Sequence, residues 1–261
     1  MLQNLRELYR YGELLKNMTV KELRVRYKES ALGFFWSLFT PILNMAVYTL
    51  VFSLVLKIGL PHYPVFLLAG IFPWQFFQTS IATGCVSIVH NGNLVKKVYF
   101  PLEILPLSIV LANFVNFLLS LLVYFGLVLV SGVGIHLSIL ALPLILLVQM
   151  ALTTGLTLLV AVYTVYFRDI EHFLGVLLFA LFYGTPIIFT LSQIGQYARQ
   201  YAFLFELNPL TPIITAYQDV LYFGRFPDWG AFGLTALVAI AVLVLGYHVF
   251  NKHKGFLPEE V

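Results

Sequence analysis

The feature that most constrains this chain is a set of five long stretches without a charged residue. They cover residues 30–56, 58–95, 104–167, 172–198 and 229–251. A helix of about 20 apolar residues crosses the ~30 Å hydrocarbon layer of a bilayer, so each stretch can hold at least one membrane span. Because 60% of the residues are hydrophobic and only 10% are charged, the composition excludes a soluble globular domain.

The stretch at 104–167 is long enough for two spans. It is interrupted at residues 131–136 by Ser-Gly-Val-Gly-Ile-His, a turn whose backbone polar groups could not face lipid unpaired. The sequence therefore predicts an all-α membrane protein with a six-span transmembrane domain over residues 31–261. The predicted spans are 33–56, 65–89, 104–130, 138–166, 172–191 and 229–250.

Residues 1–30 are predicted to lie on the membrane surface. In a helix, their apolar residues gather on one face, which is typical of an amphipathic interface helix. That face carries Leu2, Leu5, Leu8, Tyr9, Gly12, Leu15 and Met18. Thr19 and Glu22 fit a capping box, which predicts that a second short helix begins there.

The predicted second helix carries Arg24, Arg26 and Lys28 up to the first span. These residues either form a collar for a lipid phosphate or serve as ordinary topology determinants in contact with anionic headgroups. The sequence leaves both interpretations open.

The basic residues also orient the chain. With both termini, the polar island at 90–103 and the loop at 167–172 in the cytoplasm, 12 of the 15 Lys and Arg residues lie inside. This distribution obeys the positive-inside rule. We therefore expect a multi-pass protein with both termini cytoplasmic.

The region 192–228 permits either a seventh span or short re-entrant helices, and the charge count scarcely decides between them. Glu206 and Asp219 interrupt any continuous apolar run, which favours one or two short helices that dip into the outer leaflet and return. We predict Thr211 as an N-cap and Pro212 as the first helical residue. Backbone of this kind needs protein or water around it, so the region should line a path.

The predicted spans contain no Asp, Glu, Lys or Arg. Proton- and ion-coupled carriers usually place such residues at mid-membrane, so a secondary transporter is disfavoured. We find no catalytic motif, metal-ligand spacing or nucleotide-binding loop, and no signature of nucleic-acid binding. The chain is therefore expected to be a non-enzymatic membrane subunit without a metal or cofactor of its own, and with no nucleic acid among its partners.

Four motifs occur in order along the chain. They are 93–106 (Asn-Leu-Val-Lys-Lys-Val-Tyr-Phe-Pro-Leu-Glu-Ile-Leu-Pro), 166–172 (Tyr-Phe-Arg-Asp-Ile-Glu-His), 185–189 (Thr-Pro-Ile-Ile-Phe) and 208–212 (Asn-Pro-Leu-Thr-Pro). Together with the amphipathic N-terminus, they resemble the transmembrane permease subunit of bacterial ATP-binding-cassette polysaccharide exporters of the O-antigen and teichoic-acid type.

This resemblance implies a homodimer bound to two nucleotide-binding ATPase subunits, which hold ATP and Mg. The complex would export lipid-linked polysaccharide across the bacterial inner membrane. The island at 90–103 would be the coupling helix and the 167–172 loop a second contact. The implied coupling residues are Asn93, Lys96, Lys97, Tyr99, Phe100, Pro101, Glu103, Arg168, Asp169 and Glu171. The implied outer-mouth residues are Asn208, Pro209, Thr211 and Pro212.

Sugar rings present C–H faces that pack on aromatic rings, so aromatic residues in the spans are candidates for a path lining. Gln75 and Gln78 share one helical face and would serve either a path or a helix interface. The full candidate set is Phe35, Trp36, Phe39, Tyr48, Gln75, Gln78, Phe182 and Tyr183. Two other functions stay open: an exporter of drugs or small lipids with the same fold, and a passive channel.

Overall fold

A computed structural model of the chain describes residues 10–27, 35–48, 50–51, 60–190, 205 and 207–261. Within these ranges the regular secondary structure is helical, and no strand occurs in them. The helices are α1 Gly12–Tyr27, α2 Trp36–Tyr48, α3 Tyr63–Gly84, α4 Ser87–His90, α5 Gly92–Lys97, α6 Ile104–Ser131, α7 Leu142–Tyr166, α8 Ile170–Tyr183, α9 Leu210–Gln218, α10 Trp229–His253 and α11 Leu257–Glu260.

Four of these helices are long and apolar enough to cross a membrane: α3, α6, α10, and α7 with the 3₁₀ turn Leu137–Ala141 that precedes it. They coincide with the second, third, fourth and sixth predicted spans. Gly132 ends α6 with a φ of 74°, a left-handed conformation that suits glycine. The Asp228 side chain caps α10 by accepting a hydrogen bond from the Gly230 N–H. The all-helical class is confirmed for the described residues, whereas the count of six spans stays a prediction.

The remaining two predicted spans are shorter in the structure. Of the first, predicted over 33–56, the structure describes α2, which has 13 residues; residues 52–59 lie outside the described part. The fifth, α8, has 14 residues, about 21 Å at the usual helical rise. It ends at Tyr183 because Pro186 has no N–H to donate and disfavours helical geometry at Thr185. The prediction of a helix through residues 184–190 is therefore wrong.

From Gly12 to Tyr27 the N-terminal region is one uninterrupted helix, α1. The Thr19 hydroxyl donates to the Leu15 carbonyl at 2.8 Å, which is the bond of a helix interior and not of a cap. The predicted helix start at Thr19 is therefore wrong. Residues 1–9 lie outside the described part, and attachment of this helix to a membrane surface stays a prediction.

The bundle has two ends of different composition. The basic end comprises residues 87–103, 166–172 and 250–261, and it carries Lys96, Lys97, Arg168, Lys252 and Lys254. The far end comprises residues 60–63, 131–141 and 219–229. The chain passes between the ends through α3, α6, α7 and α10: α3, α7 and α10 run from the far end to the basic end, and α6 runs in the opposite direction.

A separate apolar cluster, the small core, lies at the basic end. It buries side chains from α4, α5, α6, α7, α10 and α11, and one face of α1 packs against it. Its buried members are Ile88, Val95, Phe100, Leu102, Ile104, Leu105, Leu158, Ala161, Val162, Val165, Phe250 and Leu257. Segments that are distant in sequence therefore hold one another in place at this end.

Two long helices, α7 and α10, cross closely at a pair of glycines. A Cβ atom added to Gly155 would lie 2.6 Å from the backbone N and Cα of Leu243, and one added to Gly246 would meet the Gly155 backbone. Any side chain would collide with backbone that cannot rotate away. Small residues allow such close approach of helices in membranes, and this contact fixes α10 against the bundle.

Candidate functional site

Polar side chains from three helices line a groove of about 550 Å³ between α2, α3 and α6. These nine side chains carry amide or hydroxyl groups: Thr40, Asn44, Gln75, Gln78, Thr79, Thr83, Asn113, Asn116 and Ser120. None of the described residues that line the groove is ionisable. The groove is therefore a polar but uncharged surface within the helical bundle.

Several of these groups have hydrogen-bonding capacity left over. The side chains of Thr40, Asn44 and Gln75 form no hydrogen bond with any described residue. The Gln78 Oε1 accepts a hydrogen bond from Trp74 Nε1 at 2.9 Å, which leaves the Gln78 amide nitrogen available. Unpaired amides are costly at membrane depth, so this groove fits water or a polar ligand better than it fits lipid chains.

The same three helices also bring aromatic rings to the groove. Trp36, Phe72, Phe76 and Phe117 line it, and the rings of Phe76 and Phe117 stack with centroids 5.4 Å apart. The groove thus offers flat apolar faces beside amide and hydroxyl groups. That combination suits a ligand that has both C–H faces and hydroxyls.

The structure brings three predicted path-lining residues, Trp36, Gln75 and Gln78, into this groove. Phe35 and Phe39 are exposed beyond it. The side chain of Tyr48 lies outside the described part.

The two predicted aromatics of α8 do not line the groove. Phe182 packs against Trp74 with centroids 5.7 Å apart. Tyr183 is 58% exposed and contacts Phe179 and Phe182. A path-lining role for the residues outside the groove stays a prediction.

The sequence reasoning missed the contribution of α6 to the groove. Asn113, Asn116 and Ser120 lie at positions i, i+3 and i+7 and so share one helical face. This spacing was visible in the sequence as a polar stripe in an otherwise apolar span. It could have been paired with Gln75 and Gln78, because both stripes occur on consecutive predicted spans.

The groove continues toward α1 through Thr83. A second cavity of about 220 Å³ is lined by Thr83 together with Glu22, Val25, Ile109 and Ala112. Arg24, one of the predicted collar residues, is exposed on α1. The side chain of Arg26 and all of Lys28 lie outside the described part, so the collar stays a prediction.

The predicted coupling residues of the island divide into two groups. Asn93, Lys96 and Lys97 are exposed on α5, and Tyr99, just beyond it, is 87% exposed. Beneath them, Phe100, Pro101 and Glu103 are buried, so the structure places these three under the surface and not on it.

The predicted second contact is also exposed. Arg168 and Asp169 lie in the turn between α7 and α8, and Glu171 lies in the first turn of α8. Phe167 beside them is 64% exposed. The basic end therefore presents two charged surfaces, each with an exposed aromatic ring.

Near the far end, Asn208 fastens α9 to the end of α8. Its Nδ2 donates to the Gly184 carbonyl and to the Thr185 hydroxyl, both at 2.9 Å. Its Oδ1 accepts a hydrogen bond from the Leu210 N–H at 3.0 Å. One buried amide thus satisfies the backbone of two helix ends.

These bonds correct the predicted start of α9. The helix begins at Leu210, so Thr211 and Pro212 lie in its first turn and Pro209 directly precedes it. Asn208 provides the cap because its amide reaches both segments, whereas the Thr211 hydroxyl forms no hydrogen bond with a described residue.

The helix continues as the π-helical turn Asp219–Phe223, close to the predicted end at residue 221. Of the predicted re-entrant region, 192–204 and 206 lie outside the described part.

Buried amides also tie α9 to the middle of the bundle. The Tyr217 hydroxyl donates to Gln149 Oε1 at 2.7 Å, and Gln149 Nε2 donates to the Pro73 carbonyl at 2.7 Å. Gln218 Nε2 donates to the Pro186 carbonyl at 2.8 Å. The Pro73 carbonyl of α3 and the Pro186 carbonyl after α8 therefore accept hydrogen bonds from side chains of neighbouring helices.

Comparison with known proteins gives a consistent picture. Residues 13–222 match the family described as ABC-2 type transporter. The chain is 37% identical over 263 residues to the O-antigen export system permease protein RfbA of Myxococcus xanthus, with all of both chains covered. It is 32% identical over 243 residues to the protein of the same name from Klebsiella pneumoniae, covering 93% of this chain and 92% of that one. It is also 24% identical over 242 residues to the polysialic acid transport protein KpsM of Escherichia coli, covering 90% and 91%.

Proposed function

Because the chain belongs to the ABC-2 type transporter family, we propose that it is the permease subunit of an ATP-driven exporter. The exporter moves lipid-linked polysaccharide of the O-antigen kind, and it acts in the bacterial inner membrane. Relatives named for O-antigen export match it over more than nine-tenths of its length, which supports this cargo. The working unit is a homodimer with two nucleotide-binding subunits, in which ATP and Mg are bound.

The observation that carries the cargo class is the polar groove. Amide groups on α2 and α3 that bond to no described residue line one cavity together with rings such as Trp36 and Phe117. A glycan suits both kinds of group, since its hydroxyls exchange hydrogen bonds with the amides and its C–H faces lie on the rings. Contacts of this sort are weak and repetitive, so a chain of sugar units can slide past them.

Energy for export comes from outside the chain. The described residues that line the groove carry no charge on which an ion gradient could act. The exposed residues of α5 and the Arg168 surface are the proposed docking contacts for the ATPase subunits. Lys96 and Lys97 would pair with acidic groups of the partner, while Tyr99 supplies an aromatic anchor of the kind common at interfaces.

The proposed topology places the basic end in the cytoplasm. Lys and Arg concentrate at this end, as the positive-inside rule requires. The far end, with the π-helical turn after α9, then faces the outer side. This orientation gives the docking surfaces access to cytoplasmic ATPase subunits and makes α9 part of the exit.

Deletion of the gene tests the cargo. We expect lipid-linked glycan to accumulate inside the cells and to disappear from the surface, with drug tolerance unchanged. A change in drug tolerance with intact surface glycan would instead support an exporter of drugs or small lipids.

A second test addresses coupling. The double variant Lys96→Glu, Lys97→Glu should reach the membrane but export no glycan, while the ATPase activity of the complex persists. Lys252→Glu, which alters another exposed lysine of the basic end, should export normally. Export that continues without ATP hydrolysis would identify a passive channel and refute the proposal.

A further inference from the structure

Residues 254–261, the C-terminal strap, pack behind α5. Leu257 of the strap is fully buried in the small core. A Cβ atom added to Gly92, the first residue of α5, would lie 3.9 Å from the Cβ of Val261. The strap therefore touches the first residue of α5.

Helix α5, the proposed coupling helix, has no stable orientation by itself. It has six residues, and Val95 is its only buried one. A helix this short is not stable by itself in water. Its orientation must therefore be set by what it packs against, namely the small core and the strap.

A buried carboxylate lies beside this contact. Glu103, which directly precedes α6, is fully buried, and neither of its carboxylate oxygens has a hydrogen-bond partner among the described residues. Lys254, which directly follows α10, places its Nζ 4.0 Å from Glu103 Oε1. The Lys254 side chain is half-buried, and its removal would leave the buried Glu103 carboxylate uncompensated, so Glu103 binds the start of the strap electrostatically.

We propose that the C-terminal strap is a positioning element, through which a push on α5 is passed to α6 and α10. The Lys254–Glu103 pair holds the start of the strap, and Leu257 anchors its middle. Its end is held by the contact of Val261 with Gly92. The strap stays docked throughout the transport cycle and acts as a rigid backing. This inference rests on the proposed function, because it assumes that α5 receives the motion of an ATPase subunit.

The first test separates coupling from assembly. In the reconstituted complex, Lys254→Met should lower glycan export per ATP hydrolysed about fivefold, while the amount of complex and its ATPase activity are retained. Lys254→Arg keeps the charge and should restore export. Lys252→Met removes an exposed charge from the last turn of α10, two residues before Lys254, and should have no effect. Normal export per ATP in Lys254→Met would overturn the role of the pair.

The second test concerns the anchor. Leu257→Ala should reduce export per ATP in the same way, because it removes a fully buried side chain of the strap. Phe256→Ala changes its neighbour, which is 62% exposed, and should behave like the wild type. Equal export by the two variants would refute the anchoring role.

The third test links the strap to α5 by a disulfide, so that the strap no longer depends on the Lys254–Glu103 pair. The Cβ separation of 3.9 Å at Gly92 and Val261 lies within the range of a disulfide, so Gly92→Cys, Val261→Cys should cross-link on oxidation. The oxidised protein should export as the wild type does, and the cross-link should restore export to Lys254→Met. Loss of export on cross-linking would show that the strap must release, and failure of the rescue would show that Lys254 acts elsewhere.

The wild-type complex distinguishes failure of this inference from failure of the proposed function. If the wild type exports no lipid-linked glycan with an ATPase partner, the proposed function fails. If the wild type exports and the strap variants match it, only the role of the strap fails.

Discussion

Substitution of Gly155 by alanine should destabilise the bundle by a calculable amount. The added Cβ would lie 2.6 Å from the Leu243 backbone, so α7 and α10 must separate by about 0.8 Å to reach the 3.4 Å of ordinary contact. A gap of this size forfeits a quarter to a half of the dispersion energy of each contact along the crossing. Overpacking against backbone of this kind costs about 3 kcal/mol.

Alanine offsets part of this cost, because it favours a helix over glycine by about 1 kcal/mol. We therefore expect the free energy of unfolding to fall by about 2 kcal/mol, which corresponds to a decrease in Tm of about 4–8 °C. The measurement is thermal unfolding of the purified protein in detergent, followed by tryptophan fluorescence. Export should fall in parallel with the folded amount.

Two other glycines provide matched controls. Gly126 in α6 and Gly233 in α10 have open space where a Cβ would be added, so Gly126→Ala and Gly233→Ala gain helix propensity without a collision. Their Tm should stay constant or rise by a few degrees. A Tm for Gly155→Ala equal to those of the two controls would refute the close crossing of α7 and α10.

Three further predictions concern the sites. Asn208→Ala removes the cap of α9 and its bonds to the end of α8, so stability should fall by about 2 kcal/mol; an unchanged Tm would contradict the fastening. Tyr99→Ala deletes an exposed ring, so copurification of the ATPase subunit should weaken while the Tm of the permease stays constant, and undiminished copurification would remove Tyr99 from the interface. Gln75→Leu removes a free amide of the groove and should slow export with normal expression, whereas faster or equal export would argue against a glycan there.

The long uncharged stretches placed α6, α7 and α10 correctly because more than 20 apolar residues without a charge have little alternative to a membrane span. Local polar signals were less reliable. Thr19 fits a capping box, yet its hydroxyl bonds back to Leu15 within one helix. Thr211 fits an N-cap, but Asn208 takes that place because its longer amide also reaches Gly184. When a polar side chain has several backbone groups within reach, tertiary packing decides which of them it bonds to. The local sequence does not specify that packing.

The same limit applies to the candidate site, where the sequence identifies polar residues but not their neighbours in the fold. Gln75 and Gln78 were recognisable as a polar face, whereas the position of that face opposite Asn113 and Asn116 depends on how α3 and α6 pack. The island at 90–103 was recognisable as a charged interruption, but the burial of Glu103 beneath it depends on the strap. The sequence thus indicates which residues carry polarity, and the packing of distant segments determines which of them share a surface.

The small core also bears on how the protein is made. Helix α5 is synthesised early, but Phe250, in the last turn of α10, and Leu257, which follows that helix, complete the core behind α5 only at the end of translation. During translation, Val95 and its apolar neighbours at the basic end lack their final cover, and exposed apolar surface of this kind invites misassembly and chaperone binding. We therefore expect completion of the small core to act as a checkpoint, because the surface of α5 gains its final support only once α10 and the strap are in place.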